Sequence, residues 1–236
     1  MSKTVVIIGG VAGGMSAATR LRRLDPSANI IVIERSAYVS YANCGLPYHM
    51  SGVIESRDAL LLQTPEGLHT RFDLDVRVST EAVALDPASK TVTTRQLHSG
   101  DVRTINYDAL VLSPGAATII PPIPGVERAW PLRTVEDMDA LTALVNPSQS
   151  TIDHVSDDAS ASRPSHVTVI GGGFIGVEVA ENLRHLGIAV TLVEAASQVL
   201  APIDPEMVKT VEDVIRRHGI DLRLNAQASE IGRAHV

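Results

Sequence analysis

The chain has 236 residues, 44% hydrophobic and 20% charged, enough for one large or two ordinary packed domains. With 20 Lys+Arg against 27 Asp+Glu, a net charge of −7 and only one Trp, four Tyr and two Phe, it lacks the cationic surface and stacking rings of a nucleic-acid binder. One cysteine rules out an internal disulfide framework, and eight histidines without a His-x-His or Cys-x-x-Cys pair argue against a metal centre.

The apolar run 4–18 carries Gly9, Gly10, Gly13 and Gly14, follows a single basic residue, Lys3, and leads straight into charged helix-like sequence. It therefore reads as a buried element, not as a signal peptide. No stretch reaches the roughly 18 apolar residues that span a bilayer. The expected setting is a reducing cytoplasm, with neither membrane nor nucleic acid as partner.

In chain order, residues 5–8 form a short β-branched run typical of a strand buried on both faces. Residues 15–24 read as a helix ended by Asp25-Pro26, and 29–34 as a second buried strand, completing a βαβ unit. Cys44 falls at the start of a short helix. The stretches 76–78, 82–85, 91–96 and 102–106 alternate in polarity between turn-like Asp86-Pro87-Ala88-Ser89 and Ser99-Gly100-Asp101, and read as an antiparallel β-meander inserted in the first domain. Residues 109–112 are another apolar strand, ending at Ser113-Pro114-Gly115, and 121–125 a proline-stiffened connector. Residues 146–165 read as a solvated loop. A second βαβ unit follows: strand 167–170, turn 171–176, helix 177–186 stopped by Gly187, and strand 189–194. The expected class is α/β with two nucleotide-binding domains, over 1–118 and 119–229.

The second turn is a full G-x-G-x-x-G, with Gly171, Gly173 and Gly176. The first glycine permits the tight turn, the second lets backbone approach a pyrophosphate, and the third lets helix and strand pack closely. Glu194, 18 residues beyond Gly176, can accept from ribose hydroxyls and would repel a 2′-phosphate, and no arginine follows in Ala195-Ala196-Ser197. NADH is thus expected over NADPH at this NAD(P)H site. The first turn, Gly9-Gly10-Val11-Ala12-Gly13-Gly14, has valine in the middle-glycine position, and Glu34 follows 20 residues after Gly14. Arg35 and Ser113-Pro114-Gly115 complete the expected cofactor-binding set. Two dinucleotide sites in one chain point to electron transfer between them, with FAD at the first and the nicotinamide at the second.

A lone cysteine is by default a small buried hydrophobe. Cys44 differs in lying ten residues after Glu34, in the polar-aromatic segment Ser40-Tyr41-Ala42-Asn43-Cys44-Gly45-Leu46-Pro47-Tyr48. Its oxidised form must be a mixed disulfide with a small thiol or a sulfenic acid, because no second cysteine exists.

Residues 5–18 (VVIIGGVAGGMSAA), 40–52 (SYANCGLPYHMSG), 110–115 (LVLSPG), 132–137 (LRTVED) and 169–182 (VIGGGFIGVEVAEN) together resemble the single-cysteine branch of the pyridine nucleotide-disulfide oxidoreductases, most of all coenzyme A-disulfide reductases. The resemblance runs to about Ala228. It implies Rossmann-like three-layer FAD- and NAD-binding domains, hydride transfer from NADH to FAD, and reduction of a Cys44–coenzyme A mixed disulfide. It also implies coenzyme A contacts at Ser16, Arg20, Arg23, Ser40 and Asn43. Residues 16, 20 and 23 share one helix face, where two arginines can pair with phosphates; a merely solvated face with Arg22 is the alternative. The resemblance further implies a homodimer whose C-terminal dimerisation domain is missing from this chain, so that the chain binds FAD poorly. Residues 230–236 (EIGRAHV) match what a common sequencing adapter encodes in one frame and read as a non-native tail. The competing functions are an NADH oxidase or peroxidase cycling Cys44 through sulfenic acid, and an inactive nucleotide-binding fragment.

Overall fold

The structure, a computed structural model, describes residues 2–150 and 163–232. The loop expected over 146–165 and the tail expected over 230–236 therefore lie partly outside the described residues.

The element order is β1 (Thr4–Ile8), α1 (Ala12–Leu24), β2 (Asn29–Ile33), α2 (Leu46–Met50), α3 (Pro65–Phe72), β3 (Asp75–Arg77), β4 (Thr80–Asp86), β5 (Thr91–Gln96), β6 (Val102–Asn106), β7 (Ala109–Leu112), α4 (Val135–Val145), β8 (His166–Ile170), α5 (Phe174–His185), β9 (Ala189–Val193), α6 (Pro205–Arg217) and β10 (Asp221–Arg223). The chain divides into two compact units, the first made of Met1–Ala42 and Asp58–Ala117, the second of Asn43–Arg57 and Thr118–Val236. The segment carrying Cys44 thus packs with the second unit, whereas the sequence places 1–118 in one domain.

In the first unit a parallel sheet of order β3-β2-β1-β7 is sandwiched between two other layers. Successive strand side chains point to opposite faces. Val5 and Ile7 of β1 and Ile30 and Val32 of β2 pack with Met15 and Ala18 of α1 and with Leu68 and Leu74. Val6, Ile31 and Ile33 point the other way, onto Val92 and Ile105 of the antiparallel sheet β4-β5-β6. Burial on both faces is why these strands read as unbroken apolar runs. One reading is corrected. The stretch 76–78 does not join the meander: β3 pairs parallel with β2, Val32 opposite Val76. Its short alternating pattern fits either sheet, and only the pairing partner separates them.

The second unit repeats the design with parallel order β10-β9-β8. Val190 and Leu192 of β9, Ala180 and Leu183 of α5 and Val208 and Ile215 of α6 share one core with Met50 and Val145. Three helices go beyond the sequence reading: α3 and α4, capped by the Thr64 and Thr134 side chains, and α6. Both βα helices also start earlier than expected, at Ala12 and Phe174, inside their glycine motifs. No helix among the described residues is long and apolar enough to cross a membrane.

Candidate active site

The two glycine turns are built alike. Gly9 and Gly171 adopt φ of +103° and +104°, a region that L side chains rarely enter. Glu34 Oε2 accepts the Gly10 N–H at 2.7 Å, and its Oε1 accepts the Ser36 N–H at 2.8 Å. Glu194 Oε2 accepts the Gly172 N–H at 2.6 Å, and its Oε1 the Ala196 N–H at 2.7 Å. An ionised carboxylate offers about four acceptor positions, so each Glu retains capacity for ribose hydroxyls. A Cβ on Gly14 would lie 1.7 Å from Gly9 O, and one on Gly176 1.9 Å from Gly171 O, so these two glycines set the helix-to-strand approach. In contrast, a Cβ on Gly173 would meet nothing within 4 Å. That backbone is bare toward open space, the condition for a phosphate to approach it.

The helix ends support the same reading. Among helices of eight or more residues, α3 and α4 are capped by threonines and α6 has Glu206 in its first turn. Helices α1 and α5 have neither a side-chain cap bond nor an acid in the first turn. Their first N–H groups and positive dipole ends are left for an anion. The residues present therefore fit two dinucleotide pyrophosphates.

In the first unit, Ser113 is drawn onto the first turn: its N–H donates to Ile8 O at 2.8 Å, and a Cβ on Gly9 would lie 1.9 Å from its carbonyl oxygen. Pro114 and Gly115 follow, exposed. Val11 is the N-cap of α1, and Ala12 and Gly13 open its first turn. Ser40, at φ 49°, donates its N–H to Gly10 O at 2.8 Å, joining the turn to the chain that leads toward Cys44. Arg35 is mostly exposed and lies 4.0 Å from Glu81.

Along α1 the structure separates three arginines that the sequence presents together. Arg22 donates to the carbonyls of Phe72, Pro26, Ala28 and Asp73 at 2.7–2.8 Å and is a structural clamp. Ser16, Arg20 and Arg23 are exposed.

Asn43, Cys44 and Gly45 form a 3-10 turn in the second unit, and the Cys44 thiol is exposed. It does not have the buried setting of a core cysteine. Burial holds the Tyr48 phenol above its usual range, with Glu178, Glu181 and Cys44 adding to the effect. Burial, and then Glu181, push Glu178 up as well. These neighbours escaped the sequence reading, as did the buried hydrogen bond from Ser51 Oγ to Asn182 Oδ1 at 2.5 Å. The available signal was Asn182 itself, a polar residue between the buried Ala180 and Leu183, which demands a partner.

Residues 3–236 match the family described as Pyridine nucleotide-disulphide oxidoreductase. The chain is 32% identical over 229 residues to the coenzyme A disulfide reductase of Staphylococcus aureus strain JH9, covering 96% of this chain and 48% of that protein. It is similar to the crystal structure of reduced CoADR-RHD from Bacillus anthracis, with a TM-score of 0.87 and 45% identity over 98% of this chain and 39% of that one. It is also similar to an NAD-dependent persulfide reductase from A. fulgidus, with a TM-score of 0.85 and 32% identity over 98% of this chain and 41% of that one. The chain spans about half the length of the curated relatives it matches.

Proposed function

Because the chain belongs to the pyridine nucleotide-disulphide oxidoreductases, we propose that it is the FAD- and NAD(P)H-binding part of a reductase that acts on coenzyme A disulfide or a coenzyme A persulfide through Cys44. The observation that carries this reading is the exposed thiol of Cys44, in a chain whose two glycine turns each leave an uncapped, acid-free helix end for a dinucleotide. Gly9, Gly10, Val11, Ala12, Gly13, Gly14, Glu34, Arg35, Ser113, Pro114 and Gly115 would hold FAD. Gly171, Gly173, Gly176 and Glu194 would hold the nicotinamide dinucleotide, with NADH preferred because Glu194 is followed by Ala195 and Ala196. Bound FAD supplies the relay that carries a hydride equivalent from the nicotinamide to the sulfur.

The chain's own residues bind and exchange thiols. The Cys44 thiolate attacks one sulfur of the substrate disulfide, forming a Cys44–coenzyme A mixed disulfide and releasing one coenzyme A thiolate. Two electrons then break the mixed disulfide, releasing the second thiolate and restoring Cys44. Arg20 and Arg23, with Ser16, Ser40 and Asn43, would bind coenzyme A, the guanidinium groups pairing with its phosphates. The domains are read as 1–118 and 119–229, the assembly as a homodimer, and the setting as the cytoplasm.

A second reading follows from the same thiol. Peroxide would oxidise Cys44 to a sulfenic acid with release of water, making the protein a peroxidase, or an NADH oxidase where two electrons from NADH first reduce oxygen to peroxide. The exposed arginines of α1 favour the first reading. NADH consumption by the flavin-loaded protein, assayed in turn with coenzyme A disulfide, coenzyme A persulfide, peroxide and oxygen, tests both. Cys44→Ser should abolish disulfide turnover; retention of turnover removes the central assignment.

A further inference from the structure

We propose that Ser51, Asn182, Arg57 and Asp139 are positioning residues for Cys44: two polar ties within the second unit set the orientation of the segment that carries the thiol. The proposal rests on the reading of Cys44 as the redox group. Helix α2 has five residues and no side-chain N-cap bond. An isolated helix shorter than about 12 residues is not stable in water, so the shape of this one is imposed by its surroundings.

The first tie is at the C-cap of α2. Ser51, 5% exposed, donates through Oγ to Oδ1 of Asn182, 2% exposed, at 2.5 Å. Asn182 Nδ2 donates to Glu178 O at 2.8 Å, so the amide has a distinct partner at each end, and flipping it would set its oxygen against that carbonyl oxygen. The second tie closes the segment. Arg57 Nε and Nη2 each donate to Asp139 at 2.7 Å, a paired geometry with side chains 15% and 10% exposed. Next to the first tie, Asn146 Nδ2 donates to Met50 O at 3.3 Å, and His49 Nδ1 bonds Ile54 O at 2.8 Å.

Apolar anchoring is already provided by Met50, fully buried in the core of the second unit. A flexible methionine holds position loosely and specifies no direction. Directional bonds at the C-cap of α2 and at Arg57, the last residue of the segment, hold it on the C-terminal side of the 3-10 turn Asn43–Gly45 and set the orientation in which that turn presents the sulfur. Asp139 and Thr142 occupy buried positions of α4, and Asn182 one of α5; in the case of Asp139 and Asn182 the partner lies on the cysteine segment.

Amide hydrogen exchange and the rate of Cys44 alkylation by iodoacetamide, read by mass spectrometry on this chain, test the proposal without requiring turnover. In Ser51→Ala, exchange at 46–51 should quicken at least tenfold and alkylation at least threefold, with exchange in β8 and β9 unchanged. Ser51→Thr, which keeps the hydroxyl, should return both rates to within twofold of the parent. Asp139→Asn should quicken alkylation in the same way; if it does not fold, the Ser51 pair decides alone. Parent-like alkylation in Ser51→Ala overturns the proposal, whether or not exchange quickens. So does a loss of protection spread over the whole second unit. Failure of the redox reading is distinguishable, because it appears as retained disulfide turnover in Cys44→Ser.

Discussion

Glu194 holds the backbone of Gly172, its Oε2 accepting that N–H at 2.6 Å while Oε1 accepts the N–H of Ala196. The residue expected to read the ribose is therefore also the one that closes the phosphate-binding turn. Glu34 bears the same relation to Gly10, at 2.7 Å.

Specificity and turn integrity are coupled at this residue. Glu194→Gln keeps one acceptor and loses the charge that opposes a 2′-phosphate. The ratio of kcat/KM for NADPH to that for NADH should rise about tenfold, equivalent to ~1.4 kcal/mol. NADH affinity should fall several-fold as the turn loosens. Steady-state kinetics with both cofactors measures this; an unchanged ratio would leave Glu194 a structural role only.

The glycines of the second turn should separate into packing and ligand roles. Gly176→Ala places a Cβ 1.9 Å from Gly171 O, so helix and strand must move apart. A loss of about 2–3 kcal/mol is expected, in the range of overpacked cores. Gly173→Ala meets nothing within 4 Å. Its Tm should stay within about 1 °C of the parent while dinucleotide binding weakens at least tenfold, about 1.4 kcal/mol. Thermal melts and NADH titration of both variants measure the contrast, and equal melting losses would count against it.

The arginines of α1 should divide by partner. Arg22→Ala removes a guanidinium bonded to four carbonyl groups and 13% exposed. It should cost about 2 kcal/mol or more of stability, since hydrogen bonds to charged groups contribute about 1.5–3 kcal/mol each and part of this site is wet. Arg20→Ala and Arg23→Ala should leave stability unchanged and raise KM for coenzyme A disulfide, with KM for NADH unaffected. An unchanged disulfide KM in the double variant would remove α1 from the substrate site.

Glu178 gives a pH dependence with a definite sign. Burial, reinforced by Glu181, raises its folded-state pKa. The folded chain then binds this proton more tightly than the unfolded chain, so the stability it contributes is present at low pH. That contribution is lost as pH rises from the ordinary carboxylate value, about 4.3, through the raised folded value. Glu178→Gln should match the parent at the acid end and exceed it above this window. Urea midpoints at pH 4, 5, 6 and 7 check the sign; midpoints that run parallel at every pH would contradict it.

Some elements were plain in the residues and others were hidden. In α4 the buried positions include Asp139 and Thr142, while Leu144 is 39% exposed, so the hydrophobic stripe of an amphipathic helix is broken. Its start signal was nonetheless present, Thr134 and Asp137 forming a capping box. Thr64-Pro65 and Asp204-Pro205 mark the starts of α3 and α6 in the same manner. The strand at Asp75–Arg77 was visible as a strand but not as a member of the parallel sheet, because three residues carry too little pattern to name a partner.

The amino-acid order alone determined the two βαβ units, their glycine turns and their terminal carboxylates. These depend on local sterics, on positive φ at Gly9 and Gly171 and, in the first unit, on strands buried on both faces, all of which leave marks within a few tens of residues. Only the tertiary structure decided that Arg22 is a clamp while Arg20 and Arg23 are exposed, and that the cysteine segment packs with the second unit. Those facts rest on partners far away in the chain: Phe72 lies 50 residues from Arg22, Asp139 82 from Arg57, and Asn182 131 from Ser51. A buried polar side chain announces that it needs a partner, but which residue meets it is set by how the layers fold together.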